Sequence, residues 1–289
     1  MNKQQLLAIF ICCAPITVNA ELRHFVASLD DSQWKITGNT PITCKLEHQI
    51  PMYGKAIFSS QASKNINLSF SLDMWRKPEK VTKAELYSQA PKWRPGVANK
   101  KLTEVTYHRY FNGEVPKAAA WTMLHELENG MQPTFYYADW YNQSRQVAVG
   151  LSAVNFHQKY DKFRHCLANL LPYSFEDIAF TVLNFKEGGT ELTRFSKQQM
   201  ARVQEYLSYD PEVELVLVDA YTDSYGGRNA NKRVSMRRAQ AIEKYFIAHG
   251  VNKNRIVSSG HGETRHIAAN DTLAQRAKNR RVVIQINKG

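Results

Sequence analysis

The sequence predicts an α+β chain of two domains. The first is an N-terminal antiparallel β-barrel or sandwich-like domain with helices; the second is a C-terminal β-α-β-α-β-(α)-β sandwich. Three observations predict this. Of 289 residues, 43% are hydrophobic and 22% charged, a balance that supplies buried cores and excludes wholesale disorder. Residues 65–73 alternate strictly, with Ile66, Leu68, Phe70 and Leu72 on one face, as a half-buried strand requires. Beyond Pro172, short apolar runs alternate with segments of helical period, the pattern of a sheet layered with helices.

Taken in order, residues 1–20 read as a secretory signal peptide. Lys3 is followed by the apolar run from Leu6 to Val18, and Val18-Asn19-Ala20 offers a small residue at the cut. At about a dozen residues, the run is too short to span a bilayer as a mature helix. No later stretch has that character, so the mature chain is expected to be soluble, exported and not membrane-spanning. Residues 21–172 form the expected mostly-β domain. Besides 65–73, strands are expected at 83–88, 103–110, 134–140 and 146–151, separated by turn chemistry at Pro91, Pro95-Gly96, Asn112-Gly113 and Asn129-Gly130. A helix over 117–128 closes at Gly130. Another covers 154–171, where Phe156, Tyr160, Phe163, Leu167 and Leu170 recur at three and four and Pro172 follows.

Residues 173–289 form the second domain, with the polar stretch 173–177 as the candidate boundary. Strands are expected at 180–185, 213–221, 255–259 and 282–286. Helices are expected at 193–208, 234–249 and 272–278. The run Val216-Leu217-Val218 suggests burial on both faces.

Export changes how the cysteines read. Cys12 and Cys13 leave with the signal, and Cys44 and Cys166 remain. An oxidising compartment favours a bridge between them over two buried free thiols. The bridge would staple the second helix to an early β segment. Lys plus Arg number 38 against 26 Asp plus Glu, for a net charge of +12, which points to an anionic partner. Export argues that this partner is not nucleic acid.

The chemistry concentrates late in the chain. Ala220-Tyr221-Thr222-Asp223-Ser224-Tyr225-Gly226-Gly227 ends an apolar strand. Asn231 and then Val234-Ser235-Met236-Arg237-Arg238-Ala239 follow on a helix. Gly260-His261-Gly262-Glu263 and Asn279-Arg280-Arg281-Val282 complete the series. These ordered blocks resemble the OmpA-like peptidoglycan-binding family over about residues 175–289. The resemblance implies a site for the diaminopimelate residue of the peptidoglycan stem peptide. Asp223 would take the ligand ammonium. Arg238 would grip its carboxylate through a two-pronged, charge-assisted bond. Asn231 and Thr222 would add amide contacts, and Arg280 or Arg281 would stand beside the pocket. The competing structural reading is an Asp223–Arg238 salt bridge that shapes the loop. Tyr221 and His266 depart from the family pattern, where His and Pro are usual.

As a whole, the chain resembles the MotY family of accessory proteins of sodium-driven polar flagellar motors. This rests on the layout and on segments such as Trp34-Lys35-Ile36. It implies a non-enzymatic structural adaptor in the T ring around the flagellar basal body. The N-terminal domain would meet the basal body and a MotX-like partner, and so indirectly the stator complex. A general envelope tether unrelated to flagella is the alternative. A wall-remodelling enzyme would need acid, base or metal ligands in 21–171. Glu126 and Glu128 are available there, but two positions apart on a helix they diverge. His125-Glu126 lacks the second His of a zinc-protease motif, because Asn129 stands in its place. His261 and His266 have no clustered ligand partner, so no metal or cofactor is expected. Tyr136, Tyr137, Trp140 and Tyr141 are explained by core packing more readily than by a sugar platform.

Overall fold

The computed structural model describes residues 22–186, 189–210 and 212–288. The expected signal peptide lies outside them. Among the described residues, no helix is long and apolar enough to cross a membrane.

The first half carries β1 (Leu22–Phe25), β2 (Trp34–Thr40), β3 (Thr43–Ile50), β4 (Gly54–Gln61), β5 (Ser69–Met74), β6 (Thr82–Gln89), β7 (Lys100–Tyr107) and β8 (Gly113–Val115). Helix α1 (Lys117–Glu128), β9 (Gln132–Ala138), β10 (Gln146–Gly150) and α2 (His157–Ala168) follow. They build two five-stranded sheets, in the orders β2-β3-β4-β5-β8 and β1-β10-β9-β6-β7. Every neighbour pair is antiparallel except β1 with β10. No strand pairing joins the two sheets among the described residues, so the expected barrel or sandwich resolves as a sandwich. Its core includes Leu46, Phe58, Phe70, Leu72, Leu86 and Phe135, joined by Leu124 of α1 and Phe163 of α2.

Two expected elements change length for visible reasons. The strand expected over 65–73 begins only at Ser69, and Ile66 is exposed. The Asn67 side chain accepts from Ser60 Oγ at 2.8 Å and from the Gln61 N–H at 2.9 Å, so this stretch caps the end of β4 instead of pairing with it. The helix expected over 154–171 spans only His157–Ala168. Before it, the Val154 carbonyl accepts from Ser32 Oγ at 2.9 Å, and Asn155 adopts φ +61° with its amide bonded to Ser32 O.

Cys44 of β3 and Cys166 of α2 form a disulfide, with Cα atoms 5.9 Å apart. Nearby, His48 is fully buried and stacks on Trp34 at 4.5 Å. Its Nδ1 lies 3.1 Å from Gln33 O and its Nε2 accepts from Ser152 N–H at 3.3 Å. With one nitrogen donating and the other accepting, the ring is held neutral. Burial pulls its pKa down to about 4 from 6.5, partly offset by the Gln33 carbonyl. The unfolded chain therefore binds the proton more readily. The stabilising effect is complete above pH 6.5 and is lost as pH falls toward 4, to a total of about 3 kcal/mol. Urea unfolding of the N-terminal half between pH 7 and pH 4 should show this loss, and a His48→Gln variant should flatten the slope.

The second half carries α3 (Phe175–Ala179), β11 (Phe180–Asn184), α4 (Arg194–Tyr209), β12 (Val213–Tyr221), α5 (Arg228–Ala248), β13 (Ile256–Gly262), α6 (Leu273–Asn279) and β14 (Arg281–Lys288). The sheet order is β11-β14-β12-β13, parallel only between β12 and β13. Val216, Val218, Ala220, Val282, Ile284 and Ile286 meet Val203 of α4 and Ile242 and Phe246 of α5 in a second core. Burial on both faces of β12 was expected, but Leu217 is only half-buried and neighbouring Val257 is exposed. The helices cover one face.

Residues 173–177, the polar stretch read as the candidate boundary, fold into a capped turn. Ser174 and Asp177 form a reciprocal capping box at the start of α3. The two halves touch. Ile42, Ala62 and Leu171 pack with the second core, and Leu171 exchanges backbone bonds with Pro41 and Ser63 at 2.8 and 3.1 Å.

Candidate functional site

A cleft of about 420 Å³ opens where β12 ends and α5 begins. It is lined by Thr222, Asp223, Tyr225, Asn231, Val234, Arg238, Arg276 and Arg280. The fold delivers these side chains from three places. Asp223 lies two residues past the end of β12. Helix α5 starts at Arg228, six residues earlier than its apolar pattern suggests, and carries Asn231 and Arg238. Arg280 is the C-cap of α6 and leads into β14.

The approach of α5 to β13 sets the geometry. A Cβ at Gly260 would lie 2.3 Å from Met236 N and 2.6 Å from its Cα, so backbone meets backbone there. Ser235 Oγ accepts from Gly262 N–H at 2.8 Å, and Lys232 Nζ donates to Gly260 O at 2.6 Å. Gly260→Ala is expected to force the helix outward and cost about 1–3 kcal/mol. Thermal unfolding of the variant checks this.

Asp223 is buried, and its Oδ2 accepts from Arg280 Nη1 at 2.8 Å. Its Oδ1 accepts from the Tyr225 N–H at 3.2 Å, closing a local turn. Arg238 does not pair with Asp223. Its Nε and Nη2 donate to Gly189 O at 3.1 and 2.7 Å, and Nη1 donates to Tyr221 O at 3.4 Å. The guanidinium also sits over the Phe185 ring at 4.7 Å. The Asp223–Arg238 salt bridge weighed from sequence is therefore not formed, and Arg280 pairs with Asp223 in its place. Burial and then the charge of Arg280 pull the Arg238 pKa down to about 10, with Asp223 opposing. Arg238 remains charged at neutral pH.

Asn231 donates to Glu263 Oε2 at 2.7 Å, which orients its amide. The Thr222 N–H donates to Gly262 O at 2.8 Å. Thr222 Oγ1 and Arg280 Nε are buried without a hydrogen-bond partner. Such orphaned groups are costly unless a ligand or water satisfies them.

Arg281 does not line the cleft. It lies over the Tyr221 ring at 4.2 Å and donates to Arg265 O at 2.9 Å, and burial lowers its pKa. The Tyr221 ring also stacks on His261 at 4.9 Å. The residue that departs from the family pattern thus turns its side chain away and gives the site only its carbonyl. His261 belongs to β13 and meets Asp219 at 2.6 Å. Asn279 pins the loop before α6. Its side chain accepts from Ile267 and Ala268 N–H at 2.9 and 3.1 Å and donates to Ala268 O at 2.8 Å.

Sequence reasoning did not select Tyr225, Val234, Arg276 or Glu263 as site residues. Arg276 carried a signal, since it stands one helical turn before Arg280. The lining thus holds three guanidiniums and one carboxylate. This arrangement suits a zwitterionic ligand that brings one ammonium and more than one carboxylate.

Comparison with known proteins matches residues 25–172 to the family described as the MotY N-terminal domain, and residues 184–280 to the OmpA family. A relative described as sodium-type flagellar protein MotY, from Vibrio parahaemolyticus, is 43% identical over 266 residues, covering 92% of this chain and 91% of its own. Peptidoglycan-binding protein ArfA of Mycobacterium tuberculosis is 35% identical over 103 residues, 36% of this chain and 31% of its own. The crystal structure of the C-terminal domain of Helicobacter pylori MotB aligns at 25% identity with a TM-score of 0.34, over 38% of this chain and 85% of that one.

Proposed function

The chain belongs to the MotY family of sodium-type flagellar proteins, and on that premise we propose that it is a periplasmic, non-enzymatic adaptor tying the flagellar motor to peptidoglycan. The N-terminal domain, residues 21–172, holds the basal body and a MotX-like partner. The C-terminal domain, residues 173–289, grips the wall. Torque needs a static anchor, and a chain bound to the wall at one end supplies one to the stators.

The carrying observation is the cleft. It sets one buried carboxylate, Asp223, beside the guanidiniums of Arg238 and Arg280, with Thr222 Oγ1 and Arg280 Nε still lacking partners. Diaminopimelate presents an ammonium and a carboxylate at the end of its side chain. The ammonium meets Asp223, and the carboxylate draws on Arg280 and Arg238. Thr222 and Asn231 then bond the amides of the stem peptide. Arg281 serves the site indirectly, by holding Tyr221 and with it the end of β12.

The mature protein is expected to co-sediment with diaminopimelate-containing peptidoglycan and not with lysine-type peptidoglycan. Cells lacking the chain are expected to assemble flagella but not swim. Normal swimming with a fragile envelope would favour a general tether, and equal binding to both wall types would remove the diaminopimelate assignment.

A further inference from the structure

The N-terminal domain contains a second built cleft. It has a volume of about 310 Å³ and lies where β1 and the ends of β9 and β10 meet the β3–β4 turn and the end of β5. Its wall is aromatic. Tyr137 and Trp140 stack at 4.8 Å and 4°, Phe25 meets Tyr53 at 5.2 Å, and the Tyr53 and Tyr137 hydroxyls bond at 2.9 Å. Trp140 is 8% exposed, yet its indole N–H has no acceptor.

The rim is the opposite of a closed core. Met52 is 77% exposed, Trp75 68% and Tyr141 54%. Met52 also adopts φ +58°, an uncommon conformation for a residue with a side chain and one that concentrates at functional sites. The Trp75 N–H donates to Tyr53 O at 3.0 Å, which ties the two rim segments together. Holding three large apolar groups in water costs free energy that core packing does not explain. The sequence reading of these aromatics as core holds for Tyr137 and Trp140, and not for Tyr141.

Charge selects the occupant. Asp139 is the carboxylate of the lining. It is 7% exposed and already engaged, 3.6 Å from Arg23 and accepting from the Tyr141 N–H at 2.9 Å. Arg76 is exposed at the mouth and held by no carboxylate among the described residues. A neutral sugar would leave the charge of Arg76 unanswered, whereas a carboxylate would neutralise it through a charge-assisted bond. Trp, Tyr, Met and Arg around a desolvated pocket are also the composition of protein-interface hot spots.

We propose that this cleft docks a segment of a partner protein that inserts one bulky apolar side chain between Met52, Trp75 and Tyr141 and sets a neighbouring carboxylate against Arg76. The proposal rests on the reading above that the N-terminal domain holds a motor protein, and it names the surface and the chemistry of that contact.

The test uses hook–basal bodies purified from sodium-motor cells that lack this chain, mixed with mature wild type, Trp75→Ala or Arg76→Glu. Both positions are exposed, so melting temperatures should match wild type. Each variant is expected to lose at least tenfold in basal-body binding while sedimenting normally with peptidoglycan. A photo-crosslinking residue at position 52 should mark a segment carrying a bulky apolar residue beside Asp or Glu. Undiminished basal-body binding by both variants overturns the docking site while the adaptor reading stands. Loss of peptidoglycan binding instead would make the cleft a glycan site and overturn it too, as would a crosslinked segment that is basic. If wild type itself does not bind basal bodies, the adaptor reading falls and takes this proposal with it.

Discussion

Asp223→Ala is expected to abolish sedimentation with peptidoglycan and, separately, to destabilise the C-terminal domain by about 3–5 kcal/mol. Two effects arise because Asp223 has two partners. Toward the proposed ligand it would be the acceptor for an ammonium. Within the protein it neutralises Arg280, whose side chain is 9% exposed and 2.8 Å away. Removing the carboxylate leaves a buried guanidinium unpaired, and that uncompensated charge is the source of the stability loss.

The two effects separate by experiment. In Asp223→Ala/Arg280→Met, the orphaned charge goes and an apolar stem replaces it. Most of the lost stability should return, while wall binding stays absent. Asp223→Asn keeps an acceptor for the Tyr225 N–H and removes the charge, so it should fold nearly normally and bind at least thirtyfold more weakly. Chemical denaturation and sedimentation, run on the same preparations, read both quantities. Wild-type sedimentation by Asp223→Ala would show that the pair only shapes the loop.

That the pair is Asp223–Arg280 and not Asp223–Arg238 shows where sequence reading stops. The ordered blocks picked out both candidate ligand residues, and the switch from a period of two to a helical period located most of the second-half elements. Which cation meets Asp223 depends on how the end of α6 turns back toward β12, and no local pattern records that. Arg280 and Arg281 illustrate the same limit. Neighbouring residues entering a strand face opposite ways, so only one of them can address the cleft. The period says that they differ and not which faces where.

In the first half, the apolar alternation of β3 and β4 is masked because polar residues occupy core positions. His48 and Ser60 are buried, which breaks the apolar alternation. They are tolerated because distant loops satisfy them: Gln33 O and Ser152 N–H for His48, and Asn67 for Ser60. The parallel contact of β1 with β10 joins ends of the domain that carry no shared signal.

The disulfide was legible from compartment and count, and its loss should have the second large effect. Cys44 and Cys166 lie 122 residues apart in sequence. Closing a loop of that length restricts the unfolded chain by about 5 kcal/mol on the chain-entropy model, comparable to the whole stability of many domains. Cys44→Ala/Cys166→Ala is therefore expected to leave the N-terminal domain marginal or unfolded at growth temperature. The C-terminal core draws on neither cysteine, so wall binding should persist. The bridge also sits near the junction. Ile42, two residues before Cys44, and Leu171, five after Cys166, both pack into the second core. Reduction should thus free the two domains from one another as well as soften the first. Denaturant unfolding followed by two probes, with and without reductant, should show an early N-terminal transition moving to lower denaturant while the later one stays. Cells carrying the double variant should retain a wall-bound protein and lose swimming, because an anchor transmits no force through an unfolded link. A single transition unmoved by reductant would contradict this account of how the first domain is held.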